Sequence, residues 1–373
     1  MAPFRAIITD VYDGVPLNQR LYLDHAATAP MTAAAREAVA EGMARWANPS
    51  SPHAEGRAAR AALEEARGRI AAAYGWRGET LLTSGASESL AIALRRANVS
   101  RRLVSAVEHD AVLRAGVELA TIGVDREGLL DMASLDAALA GAPTLVGVQW
   151  ANSETGVRQP VAAIAERVHA AGGLLLLDAA QMPADPNDAG VQAADFVALS
   201  AHKRGGPPGI GALLVRDLAS LTPTGGQERG YRPGTENLPG ALGYAAVLAE
   251  PEPVERWREL RAWLDDAIRR SGGEPVGAID ARHPAIAAYR MPGVAQTTQL
   301  IRFDMGGIAV SAGSACSSGS LKPSHVLSAM GWGEAASREV VRVSFGRETT
   351  QDDVVAFATA WRAIARDVRS FAA

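Results

Sequence analysis

Short apolar runs alternating with helical stretches constrain this chain more than any other feature. The segments RLVSA (102–106), TLVGVQW (144–150), GLLLLD (173–178) and DFVALS (195–200) are too short for ordinary helices and mostly apolar along their length. Continuous runs of this kind read as strands buried on both faces. Between them lie EHDAVLRAGVELA and QPVAAIAERVHAAGG, with apolar residues at helical spacing. The alternation predicts an α/β fold, a mostly parallel sheet covered by helices on both faces. A long amphipathic helix is expected at 55–75, ahead of the sheet. Ligands of such sheets bind at the carboxyl ends of the strands, where the loops gather.

The pattern changes after about residue 245. PEPVERWRELRAWLDDAIRRSGG reads as a charged helix, and AIAAYRM, GIAVSAG and EVVRVSFG read as strands. Further helices are expected at 323–331 and 350–367. The expected division is a large cofactor-binding unit over 21–245 and a smaller α/β unit made of 1–20 and 246–373. A chain of 373 residues is long enough for both.

Charge and cysteine usage narrow the function classes. The net charge of −4 is slight and spread along the chain, which argues against a nucleic-acid or anionic-membrane partner. No apolar run reaches the roughly 18 residues of a membrane span. The N-terminal stretch MAPFRAIITD has an acid and no long apolar core, so no signal peptide is expected. One cysteine, Cys316, excludes an internal disulfide and is compatible with a cytoplasmic location. No metal site is expected. Of the 37 basic residues only Lys203 and Lys322 are lysines. Arginine stays protonated and forms no Schiff base, whereas a desolvated lysine can.

The densest chemical signal is LSAHKRGGPPGIGALLV (199–215), where a strand ends in Ser200, His202 and Lys203 before a Gly/Pro-rich turn. Lys203 is either a solvated turn lysine or a group facing a strand-end pocket. Asp178 closes LLLLD, and such an acid either caps the next turn or faces a pyridinium ring. In the second role it keeps the ring nitrogen protonated, so the ring accepts electrons. An Asp at one strand end and a Lys at the next suit pyridoxal phosphate. The turn LLTSGASESLAIAL (81–94) offers amides and hydroxyls around Gly85, Ala86 and Ser87 at a helix N-terminus, where a phosphate binds well. An ordinary N-cap by Ser84 or Ser87 is the plain alternative. His109, between a strand and a helix, is a capping residue or a ring that stacks on a planar cofactor and moves protons. Asn152, in QWANSETGV, is a turn residue or a hydrogen-bonding partner of cofactor or substrate. Cys316 sits in SAGSACSSG, among glycine, serine and alanine rather than the large apolar neighbours of a packing cysteine.

Ten motifs then occur in one order: YLDHAATAP, NPSSPHAEGRAAR, TSGASES, EHDAVL, ANSETGV, LLDAAQ, SAHKRGGPPGIGAL, GGQERGYRPGTENLPG, SAGSACSSG and VRVSFGRETT. Across roughly residues 21–368 the chain resembles cysteine desulfurases of the NifS/IscS type, which are fold-type I, class V pyridoxal-phosphate enzymes. The resemblance implies that Lys203 carries the cofactor, Asp178 pairs with its ring nitrogen and His109 stacks on the ring. Gln181 and Asn152 would hydrogen-bond around the ring oxygen. Ala86 (through its amide), Ser87, Ser200 and His202 would hold the phosphate. Thr235 would reach the neighbouring subunit's phosphate site, which implies a homodimer. Arg342 would fork onto the carboxylate of the L-cysteine substrate, and Asn152 would also lie near it. Cys316 would take the substrate sulfur as a persulfide and pass it to an acceptor protein, an iron–sulfur cluster assembly scaffold or a tRNA or cofactor thiolation enzyme. Rival expectations on the same scaffold are a selenocysteine lyase or an aminotransferase; one of another class is a non-catalytic sulfur-assembly subunit.

Overall fold

The computed structural model describes residues 20–45, 47–139, 141–313 and 323–372. Cys316, Lys322 and residues 1–19 of the expected small unit lie outside the described residues. A two-residue strand β1 (Leu21–Tyr22) precedes the main sheet. That sheet contains β2 (Glu79–Thr83), β3 (Arg101–Ser105), β4 (Ala120–Ile122), β5 (Thr144–Gln149), β6 (Leu174–Asp178), β7 (Phe196–Ser200) and β8 (Gly211–Val215). Its order is β2-β8-β7-β6-β5-β3-β4. Only β8 runs against its neighbours, so the other six strands end at one edge.

Strand alternation fills a core on each face. Leu175, Leu177, Val197, Leu199 and Leu214 point to one side, where they join Leu63 and Ile70 of the helix Ala54–Ala73 and Ile164 and Val168 of the helix Val161–Ala170. Leu176, Phe196, Ala198 and Leu213 point to the other, against Leu90 and Leu94 of the helix Ala86–Arg96. Burial on both faces is why these strands read as unbroken apolar runs.

The helix expected from EHDAVLRAGVELA is only one turn, Asp110–Leu113. Gly116 takes a left-handed backbone at φ 74°, and residues 120–122 go into the edge strand β4 beside β3. An apolar spacing that suits a helix was overridden by the pairing offered at the sheet edge and by a glycine that turns the chain.

The second layer is a small antiparallel sheet. In it β10 (Ile286–Arg290) lies between β9 (Glu274–Pro275) and β12 (Val340–Ser344). β11 (Ile308–Ala309) pairs in parallel with β1. The helices Val254–Arg270 and Gln351–Ala372 pack over this layer through Trp257, Leu260, Leu264, Phe357 and Trp361. Leu23 and Ala26 belong to the same core, so the first residues of the region 21–245 contribute to the smaller layer. No helix among the described residues is long and apolar enough to cross a membrane.

Candidate active site

The six strands that share a direction bring their following loops to one edge, and a cleft of about 450 Å³ opens there. Its wall includes Ser84, Gly85, Ala86, Ser87, His109, Asp178, Gln181, Ser200, His202, Lys203 and Arg342. The cleft thus gathers nine of the twelve sequence candidates: Ala86, Ser87, His109, Asp178, Gln181, Ser200, His202, Lys203 and Arg342.

At one end β2 stops and the helix Ala86–Arg96 begins. Gly85 makes the junction with φ 150°, a backbone state that favours glycine, and supplies no side-chain cap. Glu88 Oε2 instead accepts from Ser84 N at 2.5 Å. The first amides of the helix, at Ala86 and Ser87, have no acceptor within the helix itself and border the cleft. With the helix dipole they form an anion seat. Gly211 opens β8 directly behind this turn, where a β-carbon would meet the Leu199 carbonyl and the Gly85 backbone.

Asp178 ends β6, and one of its carboxylate oxygens accepts from Ala180 N at 3.0 Å. Lys203 follows β7, the strand adjacent to β6. Gln181 donates from Nε2 to the Ala26 carbonyl at 2.9 Å, while its Oε1 is buried with no hydrogen-bond partner. An orphaned acceptor in this wall suits the phenolic hydroxyl of a pyridoxal ring. Together with the anion seat, the strand-end carboxylate and the lysine, it makes the donor set one that fits pyridoxal phosphate.

His109 caps its single helical turn by accepting from Ala111 N on Nδ1 at 3.1 Å. In the neutral ring the proton therefore sits on Nε2. Burial lowers the His109 pKa, and the Lys203 cation lowers it further against Asp178. His202 holds Thr28 Oγ1 through Nδ1 at 3.2 Å; burial, with Lys203 and Arg204, brings its pKa down to about 4. Both shifts favour the neutral ring.

Arg342 reaches the cleft from the small sheet, on β12. Its Nη2 donates to Asp24 Oδ1 at 2.7 Å and its Nη1 to the Ser153 carbonyl at 2.9 Å, while Nε is buried without a partner. The guanidinium is oriented by the protein and keeps donors for a substrate carboxylate.

Asn152 stands differently. Its Oδ1 accepts from Glu154 N and Thr155 N and its Nδ2 donates to the Val107 carbonyl, so the side chain organises its own turn. It lines a neighbouring cavity of about 350 Å³ that shares His109 and Ser153 with the cleft and is bordered by Gly313 and Pro323. Thr235 is exposed and does not line the cleft of its own chain. Cys316 lies outside the described residues; its flanks Gly313 and Pro323 stand at that second cavity.

Residues without a role in the sequence reading also build the site. Gln149 lines the cleft and donates to the Val107 carbonyl at 2.9 Å. Glu108 is fully enclosed, accepts from Gln149 N at 3.0 Å and is pushed well above the usual carboxylate range by burial and by Asp178. Asp24 aligns Arg342. Asp24 and Glu108 stand inside the motifs YLDHAATAP and EHDAVL, whereas Gln149 stands near the end of the strand run TLVGVQW, whose only signal was its apolar character. Among the described residues no group of three His, Cys, Asp or Glu comes together to hold a metal ion.

Comparison with known proteins agrees with this geometry. Residues 21–357 match the aminotransferase class-V family model. The cysteine desulfurase of Gluconacetobacter diazotrophicus is 37% identical over 90% of this chain and 90% of its own. The IscS-like cysteine desulfurase of Mycobacterium tuberculosis is 35% identical over 89% of this chain and 93% of its own. Among solved structures, a NifS-like protein from Rickettsia africae superposes with a TM-score of 0.82 at 29% identity, covering 93% of this chain and 99% of that one. SspA, solved in complex with cysteine, superposes with a TM-score of 0.76 at 28% identity over 88% of this chain and 99% of its own. With a class-V match over most of its length and desulfurase relatives spanning nearly all of it, this chain belongs to the class-V aminotransferase family, in the NifS/IscS-type cysteine desulfurase group.

Proposed function

We propose that this pyridoxal-phosphate-dependent cysteine desulfurase converts L-cysteine to L-alanine and takes the sulfur onto Cys316 as a persulfide. The observation that carries the reading is the convergence of Lys203, Asp178, His109, Arg342 and a helix N-terminus on one cleft. The phosphate would rest on the Ala86 and Ser87 amides with Ser200 and His202, and Gln181 would meet the ring hydroxyl. When bound, the cofactor supplies a protonated ring that takes up the electron pair released at the substrate Cα. Lys203 Nζ would hold the cofactor, and its amine would take the Cα proton of the substrate. Asp178 keeps the proton on the ring nitrogen. Arg342 seats the substrate carboxylate, its guanidinium already aligned by Asp24. The Nε2–H of His109 would favour the Cys316 thiolate by donating to it. Cys316 Sγ would then bond to the substrate sulfur as the substrate's Cβ–S bond breaks, the electron pair staying with the carbon skeleton, which is protonated to give alanine.

The exposed position of Thr235, outside its own cleft, supports a homodimer in which it completes the partner's phosphate seat. Onward delivery from Cys316 is to an acceptor protein, an iron–sulfur scaffold or a thiolation enzyme. The test is alanine release from L-cysteine by the holoenzyme and two variants. Lys203→Ala is expected to lose the cofactor absorbance that borohydride bleaches in the wild type, and to lose activity. Cys316→Ala is expected to keep the absorbance and lose alanine release. Turnover of cysteine at the wild-type rate by Cys316→Ala would overturn the role given to that thiol.

A further inference from the structure

The stretch that carries Cys316 leaves the described fold at Gly313 and rejoins it at Pro323. Both ends meet the same side chain, Glu154. Its Oε2 accepts from Ser324 Oγ at 2.6 Å. Gly313 lies so close that a β-carbon there would fall on the Glu154 carboxyl group. Ser324 is used twice, since its oxygen also accepts from Leu327 N at 3.1 Å and caps the helix His325–Ala329. The next residue ties that helix elsewhere: His325 Nε2 donates to the Glu108 carbonyl at 2.8 Å, beside His109.

Glu154 is itself held firmly. Its amide and that of Thr155 each donate to Asn152 Oδ1 at 2.9 Å. The preceding residue, Ser153, accepts from Arg342. One turn therefore grips the substrate-binding arginine through Ser153 and both flanks of the thiol-bearing stretch through Glu154. Glu154 is only 6% exposed. Filling space in that wall would not require it, and burying a carboxyl is costly unless its hydrogen bonds are used. The bond used here is the one to Ser324.

We propose that Glu154 is a positioning residue for sulfur transfer: it fixes Gly313 and Ser324 relative to Arg342 and His109, and so sets where the Cys316 thiol meets the substrate sulfur. This rests on the reading of Cys316 as sulfur acceptor. Glu154 is not in the wall of the cleft assigned to cofactor and substrate, so its removal should leave cysteine binding intact and slow only the transfer.

The test uses the holoenzyme and the variants Glu154→Ala, Glu154→Gln and Cys316→Ala. Cysteine binding is read from the change in cofactor absorbance, and transfer from single-turnover persulfide formation followed by alkylation and mass spectrometry. Glu154→Ala is expected to slow persulfide formation by about tenfold or more, since displacements near 1 Å at a reacting pair are that costly. Its dissociation constant for cysteine should stay within about threefold, the signature of an interaction outside ground-state binding. Glu154→Gln keeps a carbonyl acceptor for Ser324 and should stay within about threefold of wild type in both readings. If Glu154→Ala fails to fold, Ser324→Ala removes the same bond from the other side and should show the same split. A wild-type transfer rate in Glu154→Ala, or in Ser324→Ala where it stands in, would overturn the proposal. So would an equal loss of binding and transfer, or a Gln variant as slow as the Ala one. Alanine release from L-cysteine at the wild-type rate in Cys316→Ala would instead sink the underlying reading of the thiol, so the two failures are distinguishable.

Discussion

Arg342 illustrates how much of the site is decided by single side chains. It is 4% exposed and gives one donor to Asp24 and another to the Ser153 carbonyl. Those bonds fix the plane of the guanidinium before substrate arrives, so little rotamer freedom is lost on binding. Lysine keeps the charge but replaces a planar fork with a point, and it leaves Asp24 or Ser153 short of a donor. Arg342→Lys is expected to raise KM for L-cysteine by about tenfold or more, as a charged hydrogen bond of about 1.5–3 kcal/mol is lost. Steady-state alanine release should show kcat falling less than kcat/KM. A KM unchanged from wild type would remove Arg342 from substrate binding. The arginine itself was legible through its motif, but its orienting acid was not. Asp24 and Arg342 are 318 positions apart, and no periodicity or local spacing encodes a partnership over that distance. Lys203 and Asp178 were easier, because a polar residue at the end of an apolar strand is conspicuous in one dimension and its location at the sheet edge follows from the strand.

The proposed phosphate seat belongs to the scale of elements, because no single side chain makes it. A strand end, a glycine junction and a helix start have to meet, and β8 has to begin close behind them. At Gly211 a β-carbon would strike the Leu199 carbonyl and the Gly85 backbone, neither of which can rotate away as a side-chain tip could. Gly211→Ala should therefore displace the turn, weaken pyridoxal-phosphate binding by about tenfold and cost about 1–3 kcal/mol of stability through overpacking. Equilibrium dialysis against the cofactor and urea unfolding of the apoprotein separate the two effects. Unchanged values in both would show that the turn does not need this approach. The long runs at β5, β6 and β7 were readable because burial on both faces leaves no room for polar alternation. The segment 108–120 was not, since a helical spacing carries no information about a neighbouring edge strand waiting to be paired. The neighbouring-subunit role proposed for Thr235 is equally invisible to local pattern and rests on the motif around it.

At the scale of the whole molecule, the cleft exists because two layers with separate cores close on each other, and His283 lies between them. Its ring meets Trp150, from the loop after β5, edge-on at 5.5 Å, and Trp257, from the helix Val254–Arg270, at 5.9 Å. It is 1% exposed, and burial drives its pKa well below the ordinary value, with Arg204, Arg158 and Arg261 adding to the shift. The sign of its effect on stability follows directly. The unfolded chain takes up this proton near pH 6.5, whereas the folded chain keeps the ring neutral far below that, so acid favours unfolding. From about pH 6.5 downward, His283 should remove up to about 1.4 kcal/mol of stability per pH unit. His25 and His202, each lowered to about 4, act in the same direction. Glu108 and Glu154 are shifted upward by burial and act oppositely, because the folded chain takes their protons first as pH falls. A bare pH profile mixes these with other shifted groups, His109 and Glu88 among them, so the informative quantity is the difference between wild type and His283→Gln. Glutamine is neutral in both states, and the variant is expected to lose less stability than wild type between pH 7 and pH 5, measured as urea midpoints at constant ionic strength. Parallel profiles for the two proteins would mean that His283 protonates freely in the folded state, and that the contact between the layers opens far more readily than its packing implies.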